Sequence, residues 1–288
     1  MSETIVRADM NYVGSDSAQA VEVEIRDGRK EPPGRWEDCG FELRQYPSAV
    51  TNWDDPEEIA RVHYPEIARL AQALTGCDYA LVGGHIRRNP EQASDVHEDL
   101  APITFVHSDF APSYHDVICE RYRNPSAEAQ ASLDRAGITV EEVEKAARMV
   151  IIQFWRNTGP QKMDFPIAFC DARTVGPDEL AVIDVKDYAG GGIDFQALGI
   201  RMPADPSKHA WYVFPNTHED EVVVFRTFDS TMVEPNLPFW TPHSAFRDPD
   251  VEVGQPSRRS IELRATCLFM SACARDRALT ILPGQHHQ

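Results

Sequence analysis

From Val150 onward the chain consists of short apolar runs separated by turn residues, and that pattern restricts the folds open to it. "VIIQFWR", "FPIAFCD", "ELAVIDVKDY", "HAWYVFP", "DEVVVFRTFDS" and "RRSIELRATCLFM" follow one another, broken by Gly- and Pro-containing pieces such as "NTGP", "VGPD" and "AGGG". Runs this short and this rich in Val, Ile and aromatic residues read as β-strands. No helices alternate with them, so a parallel sheet covered on both faces does not fit, and antiparallel pairing in a barrel or sandwich does. The expected fold is mainly β with peripheral α-helices, a jelly-roll core.

Helical signals lie upstream and in one insertion. "DDPEEIARVHYPEIARLAQALTG" has Asp54 or Asp55 as a cap, Pro56 in its first turn and Gly76 as its stop. Pro65 inside it predicts a kink or a break, because proline removes a backbone donor. "SAEAQASLDRAGITVEEVEKAARM" predicts a helical hairpin, with Gly137 as the break and Thr139 capping the second helix. The expected organisation is a single domain over 1–288. Within it, residues 1–20 are loosely ordered, and the jelly-roll core spans about 100–288 with a helical insertion near 126–148. Gly190 to Gly192 lack a strand–glycine–helix context and read as a loop over the site rather than a nucleotide cradle.

Charge narrows the partners. The 288 residues carry a formal net charge of −18, which disfavours nucleic acid and anionic membrane surfaces, since both need clustered Lys and Arg. Six scattered cysteines with no CxxC pair suit reduced, intracellular usage. The first residues hold no apolar signal core, and no run approaches the ~18 apolar residues of a membrane span. The expectation is a cytoplasmic protein acting on a small molecule, as a monomer or a homodimer.

Chemistry concentrates in "FVHSDF". Side chains at i and i+2 of a strand share a face, so His107 and Asp109 aim an imidazole and a carboxylate into one interior while Ser108 faces away. Two His and one carboxylate on one face, with positions left open, is the donor set of non-haem iron(II) oxygenases. Among the ten histidines, His243 in "FWTPHSAFRDP" is the choice for the third ligand, with His209 as the reserve. What selects His243 is the strand that follows it, "RRSIELRATCLF", where Arg258, Ser260, Glu262 and Arg264 share one face. A guanidinium can clamp the distal carboxylate of 2-oxoglutarate bidentately, and a hydroxyl can add a hydrogen bond. Arg258-x-Ser260 fits that role, and Arg264 on the same face could fill it too. Gln153, Trp155 and Arg156 in "QFWRN" are candidate cosubstrate or substrate contacts.

"FVHSDF", "IIQFWRNTG", "FPIAFCDART", "HAWYVFP", "DEVVVFRTFDS", "TPHSAFRDP" and "RRSIELRA", in that order, resemble one family. It contains the cephamycin-pathway hydroxylase component, the fungal endoperoxide- and aziridine-forming oxygenases and gibberellin-desaturase-like proteins. The resemblance runs from about Phe41 to Phe269. It implies a double-stranded β-helix (cupin-like) fold, Fe(II) as the metal, 2-oxoglutarate and O2 as cosubstrates, and C–H oxidation of a specialised metabolite or an amino-acid-derived molecule. It carries the metal motif onto His107, Asp109 and His243 and the Arg-x-Ser onto Arg258 and Ser260. Gln153 stands where the family more often has Asn, and "RNTG" replaces its Arg-Pro; both departures concern the substrate pocket rather than the metal. A different class competes: a cupin-like protein that binds a metal or small molecule without oxygenase activity. Such a protein would more often offer extra His ligands and would lack the oxo-acid clamp.

Overall fold

The computed structural model describes residues 4–14, 17–89, 101–188, 194–252 and 257–271; the Gly190 to Gly192 loop lies outside them. Two β-sheets face each other. One orders its eight strands as β1 (Thr4–Val13), β2 (Ala18–Asp27), β10 (Trp211–Val213), β7 (Ile167–Cys170), β12 (His243–Ala245), β5 (His107–Ser108), β9 (Phe195–Ile200) and β8 (Leu180–Val185). The other orders β3 (Phe41–Gln45), β11 (Glu221–Asp229), β6 (Arg148–Asn157), β13 (Ser260–Phe269) and β4 (Tyr79–Arg88). Apart from the parallel β2–β10 pair, the strand pairs are antiparallel. This is the mainly β, jelly-roll architecture that the run of short strands requires.

Strand alternation divides the residues between two cores. Val150, Ile152 and Phe154 of β6, with Ile261, Leu263, Ala265 and Cys267 of β13, pack outward against Ile59, Ile67 and Leu70 of the helical segment. The opposite faces of the same strands turn into the space between the sheets. There Trp155, Phe225, Phe169 and Phe41 form one cluster, and Met149, Ile151 and Leu268 join Met10, Tyr12 and Trp211 in another. Strands buried on both faces read as unbroken apolar runs, which is why β6 is buried along almost its whole length.

The helical segment keeps its expected signals. Asp55 accepts hydrogen bonds from the Glu57 and Glu58 amides, and Gly76 ends α3 (Tyr64–Thr75) in the left-handed region. The break expected at Pro65 takes the form of a π-helical stretch over Ile59–His63, just before the proline enters the first turn of α3. The insertion begins earlier than expected, with α4 (Tyr114–Arg123), followed by α5 (Ala127–Ala136) and α6 (Val140–Glu144). Gly137 caps α5, and Thr139 forms a capping box with Glu142.

The N-terminal expectation is corrected. Thr4–Val13 is a ten-residue strand paired with β2, and its alternate residues Val6, Ala8, Met10 and Tyr12 are buried. Burying Val- or Met-sized side chains stabilises by roughly 1.5–3 kcal/mol each, enough to order the segment. Likewise the sheets begin before residue 100, since β2, β3 and β4 pair with strands of the C-terminal half. Among the described residues no helix is long and apolar enough to cross a membrane.

One glycine fixes the approach of a loop to the barrel. Gly40 ends the short helix Trp36–Cys39 at φ +100°, and a Cβ there would lie 2.4 Å from Thr241 Oγ1. Thr241 Oγ1 donates to the Gly40 carbonyl at 3.1 Å. Gly40→Ala combines left-handed strain with a clash and is expected to cost at least about 2 kcal/mol, lowering the melting temperature by several degrees. Thermal denaturation followed by circular dichroism checks this; an unchanged transition would show that the Thr241 loop can yield.

Candidate metal centre

β5 contributes only two residues, held between β9 on one side and β12 on the other. In that register His107 stands directly opposite His243, with ring centroids 4.4 Å apart. Asp109 follows on the same face as His107, and Oδ1 lies 4.0 Å from His107 Nε2. One donor atom from each of the three residues falls within 4.8 Å of the others. Ser108 faces away, where its hydroxyl accepts the Thr241 amide at 3.2 Å.

Both imidazoles are oriented from behind. His107 Nδ1 contacts the Phe105 carbonyl at 2.6 Å, and His243 Nδ1 contacts the Thr241 carbonyl at 3.0 Å. A carbonyl can only accept, so each Nδ1 carries a proton and Nε2 is the atom left to ligate; that of His107 faces Asp109. Such back-bonding fixes both the tautomer and the ring orientation of a metal-binding histidine. Burial pushes the His107 imidazole down to about 4, assisted by His243 and opposed by Asp109, so the ring is neutral and able to ligate at neutral pH. Burial would raise the Asp109 carboxyl, but Arg264, His243 and His107 outweigh it and hold it ionised. Asp109 Oδ2 is buried and has no hydrogen-bond partner among the described residues. Buried carboxylate oxygens are normally satisfied. Two imidazoles tied back through Nδ1 and a charged carboxylate with an orphaned oxygen fit a divalent transition metal with positions left open.

β13 lines the facing wall. Arg258 is 2% exposed: its guanidinium lies over Trp155 at 5.7 Å, Nη1 donates to the Phe165 carbonyl at 3.2 Å, and Nε has no partner among the described residues. Burial and the neighbouring Arg88 lower its pKa to about 9, against the pull of Glu262 and Asp164. The guanidinium is therefore charged at neutral pH without a carboxylate of its own. Ser260 Oγ is also buried and has no partner among the described residues. Two residues that could grip an oxo acid are thus both left unsatisfied.

Arg264 is placed differently. Its Nε donates to Gln153 Oε1 at 2.7 Å, and Nη2 lies 3.5 Å from Asp109 Oδ1. Gln153 passes the chain on, donating from Nε2 to Glu262 Oε2 at 2.8 Å, while Arg88 Nε donates to Glu262 Oε1 at 2.8 Å. Glu262 is held ionised against its burial mainly by Arg88 and then Arg264. Arg88 escaped the sequence reading, although the doubled arginine ending "HIRR" in β4 was its signal.

Arg156 does not join the site. It bonds the Glu219 and Tyr46 carbonyls and lies over Trp53, on the opposite side of β6 from Gln153 and Trp155. His209 is engaged elsewhere too, between Tyr12 (3.1 Å) and Glu179 (3.2 Å).

A cavity of about 850 Å³ opens beside Asp109. Phe110, Tyr114, Tyr188 and Phe195 form its aromatic wall, and Glu262 and Arg264 its charged floor. Of its aromatic lining only Phe110 lies in a motif marked in the sequence; Tyr114 comes from α4, Phe195 from β9 and Tyr188 from the segment after β8.

The family model described as "Oxidoreductase/YMDC permease-like domain" matches residues 3–268. The chain is 27% identical over 242 residues to the alpha-ketoglutarate-dependent dioxygenase phiK of Fungal sp. (strain ATCC 74256), covering 81% of this chain and 79% of that one. It is 26% identical over 241 residues to the hydroxylase/desaturase CTB9 of Cercospora beticola, covering 78% and 69%. The solved structure of the iron and alpha-ketoglutarate-dependent endoperoxidase NvfI superposes with a TM-score of 0.70 at 19% identity, over 92% of this chain and 98% of that one. That likeness is one of fold.

Proposed function

The chain belongs to this oxidoreductase/YMDC permease-like family, and on that premise we propose that it is an iron(II)- and 2-oxoglutarate-dependent oxygenase acting on a C–H bond of a small metabolite. The observation that carries the reading is the convergence of His107, Asp109 and His243 within 4.8 Å, with both Nδ1 atoms tied to carbonyls. The relatives named as dioxygenase and as hydroxylase/desaturase support the same chemistry. The whole of residues 1–288 is read as one oxygenase domain.

His107 Nε2, the Asp109 carboxylate and His243 Nε2 would hold the iron. When bound, the metal with 2-oxoglutarate and O2 supplies the oxidant for an unactivated C–H bond, with succinate and CO2 as coproducts. The protein's own work is binding, orientation and exclusion of water. Arg258 would receive the distal carboxylate of 2-oxoglutarate and Ser260 would donate to it, which removes two unsatisfied buried groups at once. Gln153 holds Arg264 and Glu262 in register, and Arg88 neutralises Glu262. The aromatic wall excludes water from the side on which substrate would lie.

The Arg258 and Ser260 orphans also weigh against a cupin-like binder without oxygenase activity, which has no use for a buried cation awaiting an acid. Anaerobic protein given Fe(II) and 2-oxoglutarate is expected to develop a weak visible charge-transfer band that neither addition gives alone. Absence of the band from folded protein would overturn the proposal.

A further inference from the structure

We propose that Arg264 is the specificity-determining residue of the large cavity, and that the substrate is a carboxylate carried on a flat apolar ring system. The acid end would meet the guanidinium and the rings would lie along Phe110, Tyr114 and Phe195. This rests on the reading of Asp109 as a metal ligand.

Charge accounting singles out Arg264. Among the described residues, every carboxylate lining the cavity already has a cation. Glu262 pairs with Arg88 at 2.8 Å, Glu120 with Arg123 at 3.2 Å, Glu128 with Arg121 at 3.9 Å and Asp194 with Lys186 at 2.8 Å. The remaining charge is Arg264, whose nearest acid is Asp109. The contact of 3.5 Å is longer than a charge-assisted hydrogen bond, which runs to about 2.9 Å. A metal bound to Asp109 draws that carboxylate's charge to itself, leaving the guanidinium without an anion in direct contact among the described residues.

Its geometry suits a ligand from the cavity. Gln153 fixes Nε at 2.7 Å, so the planar fork is held in place by one side while its two Nη groups form no other hydrogen bond among the described residues. The guanidinium carbon sits 5.4 Å from the Phe110 ring centroid, and the side chain is 27% exposed, into the cavity. Arg258, by contrast, is closed in by Trp155 and does not line this cavity.

The wall above the fork is flat. Phe110 stacks on Tyr114 with centroids 3.5 Å apart and an interplanar angle of 14°, and Phe195 meets both edge-on at 5.7 and 6.1 Å. Such a surface favours a planar apolar body over a flexible chain, since stacked and edge-to-face contacts reward rigid rings. A preorganised guanidinium favours a carboxylate over a neutral polar group because the fork can bond both oxygens.

The test uses 2-naphthoate and its neutral counterpart 2-naphthylmethanol as probes. Both are titrated against the full chain loaded with Mn(II) and saturating 2-oxoglutarate, with binding read from tryptophan and probe fluorescence. The acid is expected to bind at least about tenfold more tightly than the alcohol. Arg264→Gln should abolish that preference, and Arg264→Lys should retain part of it. Val117→Trp, which fills the cavity, should weaken both probes alike and keeps the test usable if the Arg264 variants do not fold. Equal binding of acid and alcohol to wild type overturns the proposal, as does competitive displacement of naphthoate by 2-oxoglutarate. The two readings fail separately. Acid preference without Mn(II) binding sinks the metal assignment alone, whereas Mn(II) and 2-oxoglutarate binding without acid preference sinks this one.

Discussion

Asp109→Ala is expected to fold and to lose iron(II). Removing one of three protein donors should weaken the metal by more than about 100-fold, because changing even the hydrogen-bond partner behind a ligand costs 10–100-fold. The fold should survive for a specific reason. Breaking a buried ion pair costs about 3–5 kcal/mol when the surviving charge is sealed in. Arg264 keeps 27% of its side chain exposed to the cavity and retains Gln153, so solvent and the amide take over much of what Asp109 supplied. A loss near 1 kcal/mol, well below the buried-pair figure, is the expected cost. Metal content after anaerobic loading and desalting, with the thermal transition in parallel, measures both quantities. Stoichiometric iron retained by folded Asp109→Ala protein would mean that the donor set is a different one.

Arg258→Met should show two effects of opposite sign. The variant removes a cation that burial drives well below the ordinary guanidinium range and replaces it with an apolar chain of similar length. Replacing even a buried ion pair by hydrophobes of similar volume is often neutral or stabilising by about 1–4 kcal/mol, and a buried cation with no carboxylate in contact has no such pairing to lose. The protein without cosubstrate should therefore melt at the same or a higher temperature than wild type. Affinity for 2-oxoglutarate should fall roughly 100-fold, as expected when a charged, forked hydrogen bond is lost. At a cosubstrate concentration 100 times the wild-type Kd, wild type gains about 2.7 kcal/mol from binding and the variant gains little. Differential scanning fluorimetry with and without 2-oxoglutarate separates the two effects. Were Arg264→Met to lose the cosubstrate while Arg258→Met kept it, the anchor would be Arg264.

Much of this architecture is legible from period-two alternation. His107 and Asp109 share a face because they are two apart, and the same rule puts Ser260, Glu262 and Arg264 on one wall of the interior. Alternation also identifies the weakest of the candidate contacts. Trp155 and Arg156 are adjacent, so a strand that turns Trp155 inward must turn Arg156 outward, toward Trp53 and the Tyr46 carbonyl. The N-terminal strand carried the same signal in Val6, Ala8, Met10 and Tyr12, hidden by the polar residues interleaved with them. Other features were not legible. The pairing of His243 with His107 depends on which strands meet, and Arg88 reaches Glu262 only because β4 docks beside β13. The aromatic wall joins α4, β9 and the residue after Asp109, which no local pattern connects.

The placement of the ligands also sets an order of events. His107 stands on a two-residue strand that cannot hold its own register, with Asp109 just beyond its end, and His243 arrives on β12 from the far end of the chain. No half of the chain presents more than two donors, and the pairing that brings in the third is a long-range one. Long-range antiparallel contacts form late, since loop closure must be met before they return anything. Iron therefore cannot nucleate this barrel in the way that structural zinc nucleates a finger. Refolding chains should acquire metal affinity only in their slowest phase, in step with the closing of β12 onto β5.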